Sequence, residues 1–416
     1  MIKKILLFFL VVTISCSKTD VETPTLGSVS PIIPQFKCEN GFANGYPCNG
    51  YDLFTTISLN DLDLSNTVSS SLSGNDSWGW TDPTTAKEYA LVGLNTGVSM
   101  VDISEPNDPV VLGFLPTATV NSSWRDIKVY NNHAYVVSEA ANHGMQVFDL
   151  TTLRDVTNPP QIFSATTTLT DFGNAHNIVI NEDSGFAYAL GTRQFNGGPI
   201  FINIQNPANP IIEGGFSDGG YSHDAQVLNY KGPDADYTGK EILVASNGER
   251  FGTNEVVIVD VSDKSNPIEI SKITYPNESY THQGWFTEDQ RYFIVGDELD
   301  EIDGKVSNTR IIIFDLLDLD NPVVSSEYFG PTEAIDHNGY INGNTYYQAN
   351  YTAGVRMIDI SDIANKNLSE IGFFDTFPEN NNTAFNGAWN VYPFFESGVI
   401  IISDIEEGLF LIKKAE

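Results

Sequence analysis

The 416-residue sequence is poor in basic residues and in familiar catalytic motifs, and each scarcity excludes a class of protein. It has 21 Lys and Arg against 54 Asp and Glu, for a formal net charge of −33. This excess of acid argues against nucleic acid or an anionic membrane face as the partner. It agrees with simple solubility or with a preference for cations, calcium above all. The sequence also contains no Gly-x-Ser-x-Gly, Walker or His-Glu-x-x-His motif, so no standard catalytic signature identifies a reaction.

The only apolar run that approaches a membrane segment lies at the N-terminus, where residues 5–14 follow Lys3 and Lys4. A run this short after a basic start is typical of a signal peptide and not of a transmembrane helix. The run ends at Ser15-Cys16 and resembles a bacterial lipoprotein signal. We therefore predict a signal peptide at residues 1–15 and a lipid on Cys16, which would hold the exported protein at the outer membrane.

Two further features of the N-terminal region agree with export. Residues 17–20, Ser-Lys-Thr-Asp, resemble the surface-export signal of Bacteroidota-type lipoproteins, which implies a cell-surface location. Residues 16–36 are predicted to be the lipidated cysteine and a flexible linker, since they are rich in Thr, Pro and Ser. Cys38 and Cys48 remain as an even pair around a Gly-Tyr-Pro turn, for which we predict a disulfide. A metal pair is the alternative, although no further thiol remains for it once Cys16 carries the lipid.

A pair of short β-branched and aromatic runs recurs seven times along the chain. The first run of each pair occupies residues 89–93, 134–138, 187–191, 241–246, 292–297, 346–350 and 399–404. The second run occupies residues 98–103, 145–150, 200–204, 256–261, 311–316, 355–360 and 409–414. Repeats of roughly 40–55 residues with four strands each are the signature of β-propeller blades. The sequence therefore predicts an all-β, seven-bladed propeller over residues 37–416.

The seventh repeat ends after its third strand, and the segment 54–59 near the N-terminus has no repeat of its own. We expect this segment to supply the missing outer strand, because such an exchange closes the ring and removes free sheet edges. The second run of most repeats has Asp at its next-to-last position, as at Asp102 and Asp260. Asp caps a following turn through its own backbone, so we assign these residues a structural role.

Each repeat has an earlier strand ahead of its first run, which we take as the first strand of the blade. The position at the start of this first strand carries a histidine or a tryptophan in every repeat. Around the predicted ring it reads Trp78, Trp124, His176, His223, His282, His337 and Trp389. The residues that follow are Gly79, Arg125, Asn177, Asp224, Gln283, Asn338 and Asn390. Four of the six histidines of the protein thus lie at one position in consecutive blades. Because the first strand of a blade lines the central channel, we expect this position to lie at one channel mouth.

The first run of each repeat forms the second strand of its blade. This second strand runs antiparallel to the first strand, so its end should return to the same mouth. Those ends carry polar residues, among them Glu139, Asn247, Asp297, Glu298, Asn350 and Asp404. Imidazole with carboxylate suits a transition metal, and carboxylate with amide oxygen suits calcium. The candidate metal ligands are His176, His223, His282 and His337. The alternative is a structural belt in which these side chains only join neighbouring strands.

Two acidic loops, residues 297–304 and 233–239, also invite a calcium interpretation. Their spacing does not match the EF-hand loop, so each is equally well explained as a solvated acidic turn. Trp78, Trp80 and Trp285 could form a stacking platform near the mouth, although packing between blades is the commoner use of such side chains.

The sequence resembles the choice-of-anchor B proteins, a group of LVIVD-repeat propellers attached to bacterial surfaces. The resemblance spans nearly all of residues 38–412. It rests on segments such as CENGFANGYPC, WGWTDP, YSHDAQVLNYKGPDADYTGKEI, YTHQGWFTEDQRYFIVGDELDE, NYTAGVRMIDI and GAWNVYPFF. It implies an exported and anchored propeller, and it supplies no known reaction.

Three functions fit these features. The first is a monomeric surface module that binds a metal-bridged or small ligand, or a partner protein, at the histidine-lined mouth. The second is a metal-dependent hydrolase or oxidase, in which the four histidines bind the metal and Asp224, Asp297 or Glu298 orients a ligand or acts as base. The third is a structural surface protein with an empty polar channel. We favour the first.

Overall fold

The computed structural model describes residues 33–65, 71–249 and 252–416. The predicted signal peptide 1–15, Cys16 and most of the predicted linker 16–36 lie outside the described residues. Among the residues that it does describe, no helix has the length and apolar character needed to span a membrane.

The described chain is almost entirely β-strand. The strands of its first half are β1 (Phe42–Ala43), β2 (Tyr46–Asn49), β3 (Tyr51–Ile57), β4 (Gly74–Thr81), β5 (Glu88–Leu94), β6 (Gly97–Asp102), β7 (Val110–Pro116), β8 (Arg125–Tyr130), β9 (His133–Ser138), β10 (Met145–Asp149), β11 (Gln161–Ile162), β12 (Thr167–Leu169), β13 (Asn177–Asn181), β14 (Phe186–Leu190), β15 (Ile200–Asn203) and β16 (Ile211–Gly215). The second half contains β17 (Asp224–Asn229), β18 (Glu241–Asn247), β19 (Glu255–Asp260), β20 (Ile268–Ile273), β21 (Thr281–Phe286), β22 (Tyr292–Asp297), β23 (Arg310–Asp315), β24 (Val323–Phe329), β25 (Gly339–Asn342), β26 (Thr345–Ala349), β27 (Val355–Asp362), β28 (Asn367–Phe374), β29 (Ala388–Tyr392), β30 (Val399–Asp404) and β31 (Gly408–Lys414). A short helix, α1 (Leu59–Leu62), follows β3, and 3-10 turns lie at Leu150–Asp155, Phe195–Gly197, Ala235–Tyr237 and Ile363–Asn365.

These strands form seven antiparallel blades. Blade 1 contains β4 to β7, blade 2 contains β8, β9, β10 and β12, and blades 3 to 6 contain four consecutive strands each from β13 to β28. Blade 7 contains β29, β30, β31 and β3. The innermost strands contact one another in turn around the ring, and β29 of blade 7 returns to β4 of blade 1. The predicted seven-bladed propeller is confirmed.

The ring closes through its N-terminal strand, as the sequence predicts. Strand β3 pairs antiparallel with β31 from Tyr51↔Lys414 to Ile57↔Leu409. The hairpin of β1 and β2 precedes β3 and extends blade 6, because β2 pairs with β28. The predicted disulfide between Cys38 and Cys48 is present and holds this hairpin. The N-terminal segment therefore joins blade 6 to blade 7.

The blades pack through apolar faces that alternate along each strand. Between blades 1 and 2, for example, Leu91, Met100, Ile127, Val136 and Phe148 form one buried cluster. Each such fully buried side chain contributes roughly 1.5–3 kcal/mol, so packing between blades stabilises the ring.

The predicted structural role of the repeating Asp is also confirmed. Asp102 Oδ1 accepts a hydrogen bond from the backbone N–H of Ser104 at 3.0 Å, and Asp260 Oδ1 accepts one from Ser262 at 2.9 Å. These carboxylates cap turns at the outer side of the blades and take no part in the channel.

Candidate metal and ligand site at the channel mouth

Strand register shows which residues are equivalent at the channel mouth. In blades 4, 5 and 7, the residue after the predicted mouth position pairs with an equivalent residue of the second strand. These pairs are Asp224↔Ser246, Gln283↔Gly296 and Asn390↔Ser403. In blade 2 the residue at that step is Asp126, which pairs with Val137. Arg125 is therefore the counterpart of the histidines in blade 2, and the assignment of Trp124 to that position is wrong by one residue.

The assignment of Trp78 in blade 1 is wrong by three residues. A register irregularity between Gly74 and Ser77 places Asp76 at the step occupied by Asp126 in blade 2. Asp76 accepts a hydrogen bond from Ile127 N–H at 3.3 Å, as Asp126 does from Ile178 N–H at 2.7 Å. The counterpart of the histidines is thus Asn75. An extra residue at an irregular strand start does not change the sequence pattern. Trp78 was therefore assigned to the mouth position because it matches the tryptophans of other repeats.

The two tryptophans lie at different ends of the channel. Trp124 is 46% exposed and lies at the rim of the histidine-lined mouth. Trp78 lies in the opposite half, in a second cavity that it shares with Lys128, Trp285 and Tyr392. Trp285 and Trp78 therefore do not form a stacking platform at the histidine mouth.

The four predicted histidines do lie side by side at one mouth. The ring centroids of His176 and His223, of His223 and His282, and of His282 and His337 are each 4.3 Å apart. We call these four residues the histidine arc. They border a cavity of about 510 Å³, which is also lined by Glu139, Glu298 and the aromatic side chains of Tyr221, Tyr280, Tyr351 and Trp389.

Hydrogen bonds orient three of the four imidazoles of the arc through Nδ1, whereas Nδ1 of His282 is buried and has no hydrogen-bond partner among the described residues. His223 Nδ1 donates to the carbonyl of His282 at 2.9 Å, and His337 Nδ1 donates to the carbonyl of Trp389 at 2.6 Å. His176 Nδ1 pairs with Glu139 Oε1 at 2.7 Å. An imidazole that donates through Nδ1 keeps a lone pair on Nε2, which is the arrangement that metal-binding histidines use.

Burial keeps the inner histidines of the arc neutral. It lowers the pKa of His223 and His282 well below the ordinary value, and it lowers the pKa of His337 to about 3. Burial raises the pKa of Glu298 to about 7, against the opposing effect of the hydrogen bond from Tyr351. Neutral imidazoles beside a carboxylate suit a divalent cation, because the cation replaces the protons that burial removes.

Three of these side chains come within reach of a single ion: His282, His337 and Glu298, which we call the mouth triad. His282 Nε2 lies 3.7 Å from Glu298 Oε2, and His337 Nε2 lies 3.6 Å from Glu298 Oε1. These distances are too long for hydrogen bonds. Two ligands that each bind one tetrahedral metal ion at about 2.0–2.1 Å stand about 3.4 Å apart, so the triad is spaced for an ion between its members.

The remaining candidate residues have other surroundings. His176 and His223 continue the arc away from the triad and, in the described part of the chain, join no third ligand within the same reach. Asp297, Asn247, Asn350 and Asp404 are buried. Asp297 accepts hydrogen bonds from Ser279 and Tyr280 N–H, and Asp404 accepts from Glu406 and Glu407 N–H. Of the predicted second-strand residues, Glu139 and Glu298 line the cavity, whereas Asp297, Asp404 and Asn247 hydrogen-bond to the loops around it and Asn350 is buried.

The residues one step below the arc form a belt that joins neighbouring blades. Asn177 Nδ2 donates to the carbonyl of His223 at 3.0 Å, and Asn338 Nδ2 donates to Asn390 Oδ1 at 3.2 Å. Gln283 Oε1 accepts from Gly339 N–H at 3.0 Å. Asp224 is buried in the same belt, where burial raises its pKa to about 7. At this level of the channel, the side chains join neighbouring strands, as the alternative of a structural belt predicts.

Arg125 is buried away from solvent and contacts blade 1. Its Nε donates to the carbonyl of Leu94 at 3.0 Å, and its Nη1 lies 3.0 Å from His143 Nε2. Arg125 therefore packs between blades.

Sequence reasoning missed an ion-paired group deeper in the channel. Lys128 Nζ lies 2.5 Å from Asp126 Oδ1, 3.3 Å from Asp76 Oδ2 and 4.5 Å above the ring of Trp78. The segment Arg-Asp-Ile at residues 125–127 aligns with His-Asn-Ile at residues 176–178, which places Asp126 at the position of Asn177. The structure supports this alignment, because the N–H groups of Ile127 and Ile178 each donate to an Asp carboxylate of the preceding blade.

Comparison with known proteins supports the repeat and the fold. A family model of the LVIVD repeat matches residues 251–274, which include β19 and β20 of blade 4. No curated protein matches the chain.

Solved structures share the propeller fold at low identity. Hydrazine synthase of Kuenenia stuttgartiensis is 14% identical with a TM-score of 0.55, over 82% of this chain and 95% of that one. A putative 6-phosphogluconolactonase of Bacteroides fragilis is 13% identical with a TM-score of 0.52, over 71% and 82% of the two chains. The β-propeller domain of Cps50 (Swd1) of Myceliophteria thermophila is 10% identical with a TM-score of 0.51, over 79% and 94%. At these identities the likeness shows the fold alone. The protein is a seven-bladed β-propeller, and its blades include a recognised LVIVD repeat.

Proposed function

We propose that the protein is a surface-anchored binding module whose histidine-lined mouth holds a divalent transition metal through His282, His337 and Glu298. The observation that carries the proposal is the position of Glu298, whose two carboxylate oxygens each lie within 3.7 Å of a neutral imidazole Nε2 at the wall of the cavity. Mixed nitrogen and oxygen ligands of this kind suit zinc, copper, iron or manganese.

The cavity beside the triad supports binding of a small ligand to the metal. Its volume of about 510 Å³ is in the range of small-molecule sites, and its wall is largely aromatic. Three protein ligands leave a coordination position of a tetrahedral ion free, so a ligand carboxylate or hydroxyl could complete the shell. Tyr280 and Tyr351 would then face the ligand with aromatic rings.

Export and anchoring complete the proposal. The Cys38–Cys48 disulfide is in keeping with an oxidising compartment outside the cytoplasm. The predicted signal peptide and the lipid on Cys16 would place the propeller at the outer membrane, as the resemblance to choice-of-anchor B proteins also implies. The partner would be a small molecule or a protein that reaches the mouth from outside the cell.

The decisive test is elemental analysis of the purified chain together with zinc titration by calorimetry. We expect close to one transition-metal ion per chain. Glu298→Gln keeps the shape of the side chain but removes its charge, and it should weaken metal binding by more than about tenfold, since even loss of an outer-shell partner costs 10- to 100-fold.

Glu139→Gln is the matched control, because Glu139 lines the same cavity but pairs with His176, outside the triad. Equal losses in both variants would place the ion elsewhere along the arc. A metal-free wild type that also binds no zinc would refute the metal site and leave the histidine arc a structural feature.

A metal-dependent hydrolase or oxidase is the second candidate. The same free coordination position favours it, since catalytic zinc sites keep three protein ligands and an open place for water or substrate. If metal is found, turnover of ester and lactone substrates by the wild type, and its loss in Glu298→Gln, would replace the binding function by an enzymatic one.

A further inference from the structure

A second group of acidic side chains lies behind the mouth, between blades 5 and 6. It consists of Asp300 and Glu301, in the loop after β22, and Asp336, just before β25; we call it the acidic cluster. Carboxylate oxygens of these three residues all lie within 4.8 Å of one another. The loop 297–304, for which a solvated acidic turn was one interpretation, is therefore buried at Asp300 and Glu301.

The carboxylates of the acidic cluster are buried and incompletely hydrogen-bonded. Asp300 and Asp336 are fully buried, and Glu301 is 7% exposed. Among the described residues, neither carboxylate oxygen of Asp336 has a hydrogen-bond partner, whereas the side chains of Asp300 and Glu301 hydrogen-bond to each other. A buried carboxylate without a partner costs several kcal/mol, so the unpartnered Asp336 beside two further buried acidic side chains indicates a missing cation.

The one nearby guanidinium does not balance these charges. Arg310 Nη2 lies 2.6 Å from Asp300 Oδ2, and its Nη1 donates to Glu327 Oε1 at 2.8 Å. Arg310 also lies 3.9 Å from buried Asp297. Its hydrogen bonds go to oxygens of Asp300 and Glu327 and to backbone carbonyls, so within the described part of the chain Asp336 has no basic side chain of its own.

Backbone packing brings Asp336 unusually close to blade 5. The Asp336 carboxylate lies where a β-carbon at position 296 would stand, so only glycine allows the approach. The fold therefore makes room for this carboxylate beside β22 instead of directing it to solvent.

We propose that the acidic cluster is a calcium site formed by Asp300, Glu301 and Asp336. The available ligand atoms are all oxygens, which hard cations prefer, and the absence of imidazole or thiolate in the cluster disfavours zinc and copper. Calcium binds oxygens at about 2.3–2.6 Å in flexible geometries, and ligands on one such ion stand within about 5 Å of one another. The site is distinct from the mouth triad in its residues and in its metal.

The calcium site would also position the mouth triad. Glu298 lies in the same loop as Asp300, two residues earlier, and Asp336 directly precedes His337. An ion that joins the loop after β22 to the segment before β25 would fix the separation between Glu298 and His337. The two sites thus share the backbone of blades 5 and 6 but no ligand.

The test is calcium binding and thermal unfolding of the purified chain after removal of metals with EGTA. We expect one calcium ion per chain and a melting temperature that rises by several degrees in about 1 mM CaCl₂, because a ligand that binds only the folded state stabilises it. Asp336→Asn should reduce calcium affinity by at least about tenfold, since affinity follows the number of ligand charges.

Two controls separate this proposal from general acidity and from the mouth site. Asp320→Asn removes a carboxylate from an exposed acidic group formed with Asp234 and Asp318, and it should leave calcium affinity unchanged. His282→Ala removes a mouth ligand, and its calcium binding should stay close to that of the wild type even if its zinc binding is lost.

The proposal is wrong if the wild type neither binds calcium at millimolar concentration nor gains stability from it. It is also wrong if Asp336→Asn and Asp320→Asn bind calcium equally. A folded Asp336→Asn variant that no longer responds to calcium would establish the site, and direct calcium titration of the wild type decides the question if that variant fails to fold.

Discussion

At the residue scale, the protein keeps ionisable side chains neutral by burial. His143 is fully buried and contacts Arg125 of blade 2, which cannot give up its own charge at neutral pH. Burial, and then the charge of Arg125, lower the pKa of His143 to about 4. The imidazole therefore accepts from the guanidinium as a neutral group.

This lowered pKa predicts a loss of stability in acid. Below pH 6.5 the unfolded chain binds a proton at His143 that the folded chain refuses, so the free energy of unfolding falls as pH decreases from about 6.5 towards 4. At pH 5 the contribution of His143 is about 2 kcal/mol. Urea unfolding at pH 7 and pH 5 should show a smaller difference for His143→Gln than for the wild type. Equal differences in the two proteins would contradict the assignment.

At the element scale, the ion-paired group around Lys128 links the inner strands of blades 1 and 2. Asp76 is on β4, and Asp126 and Lys128 are on β8. Burial raises the pKa of Asp76 strongly, whereas the charge of Lys128, working against burial, lowers the pKa of Asp126. The lysine is thus the partner that allows a carboxylate to stay charged inside the channel.

Lys128→Met is predicted to destabilise the protein by about 3–5 kcal/mol, the usual cost of leaving one member of a buried ion pair alone. Lys87→Met is the matched control. Lys87 pairs with Asp102 at 2.7 Å, but its side chain is 51% exposed, and such pairs contribute about 0–1 kcal/mol. Thermal unfolding of both variants measures the contrast, and similar melting temperatures would show that the channel pair is not needed for stability.

The elements themselves were predictable because the apolar strand pairs repeat and the closing strand has no repeat of its own. The starts of the inner strands were less predictable. Register shifts near the mouth occur between Gly74 and Ser77, between Thr281 and Gln283, and between Ala388 and Asn390. A shift of this kind inserts a residue without changing the local composition. It made the predicted position of Trp78 wrong, whereas the predicted position of His282 is correct.

The acidic cluster could not be predicted for a different reason. Asp300 and Glu301 lie in an acidic loop that looks exposed in the sequence, and Asp336 lies in the next repeat. Only the packing of blade 6 against blade 5 covers the loop and turns these carboxylates towards one another. The histidine arc, by contrast, was predictable because its members share one position in consecutive repeats.

At the scale of the whole molecule, the proposed lipid on Cys16 predicts where the protein is found in the cell. Cys16→Ser should remove the lipid without changing the propeller, which begins beyond that residue. We expect the wild type in the outer-membrane fraction and the variant in a soluble exported fraction. An unchanged membrane fraction for the Cys16→Ser variant would mean that the chain is held at the surface in another way.

The N-terminal closure has a mechanical consequence for a tethered protein. A pull on the chain before Ile33 first meets the 2.8 Å hydrogen bond from Asn107 Nδ2 to the carbonyl of Ile33, and then Phe36, where two backbone hydrogen bonds of 2.9 Å to Leu53 resist it. Beyond that point the Cys38–Cys48 bond carries the tension to β2, which pairs with β28 of blade 6, and the load then falls on β3 along its pairing with β31. The strand that closes the ring thus lies directly on the path of the force, so a strong enough pull would strip the N-terminal strands from the edges of blades 6 and 7 before it unravelled the inner strands that carry the mouth.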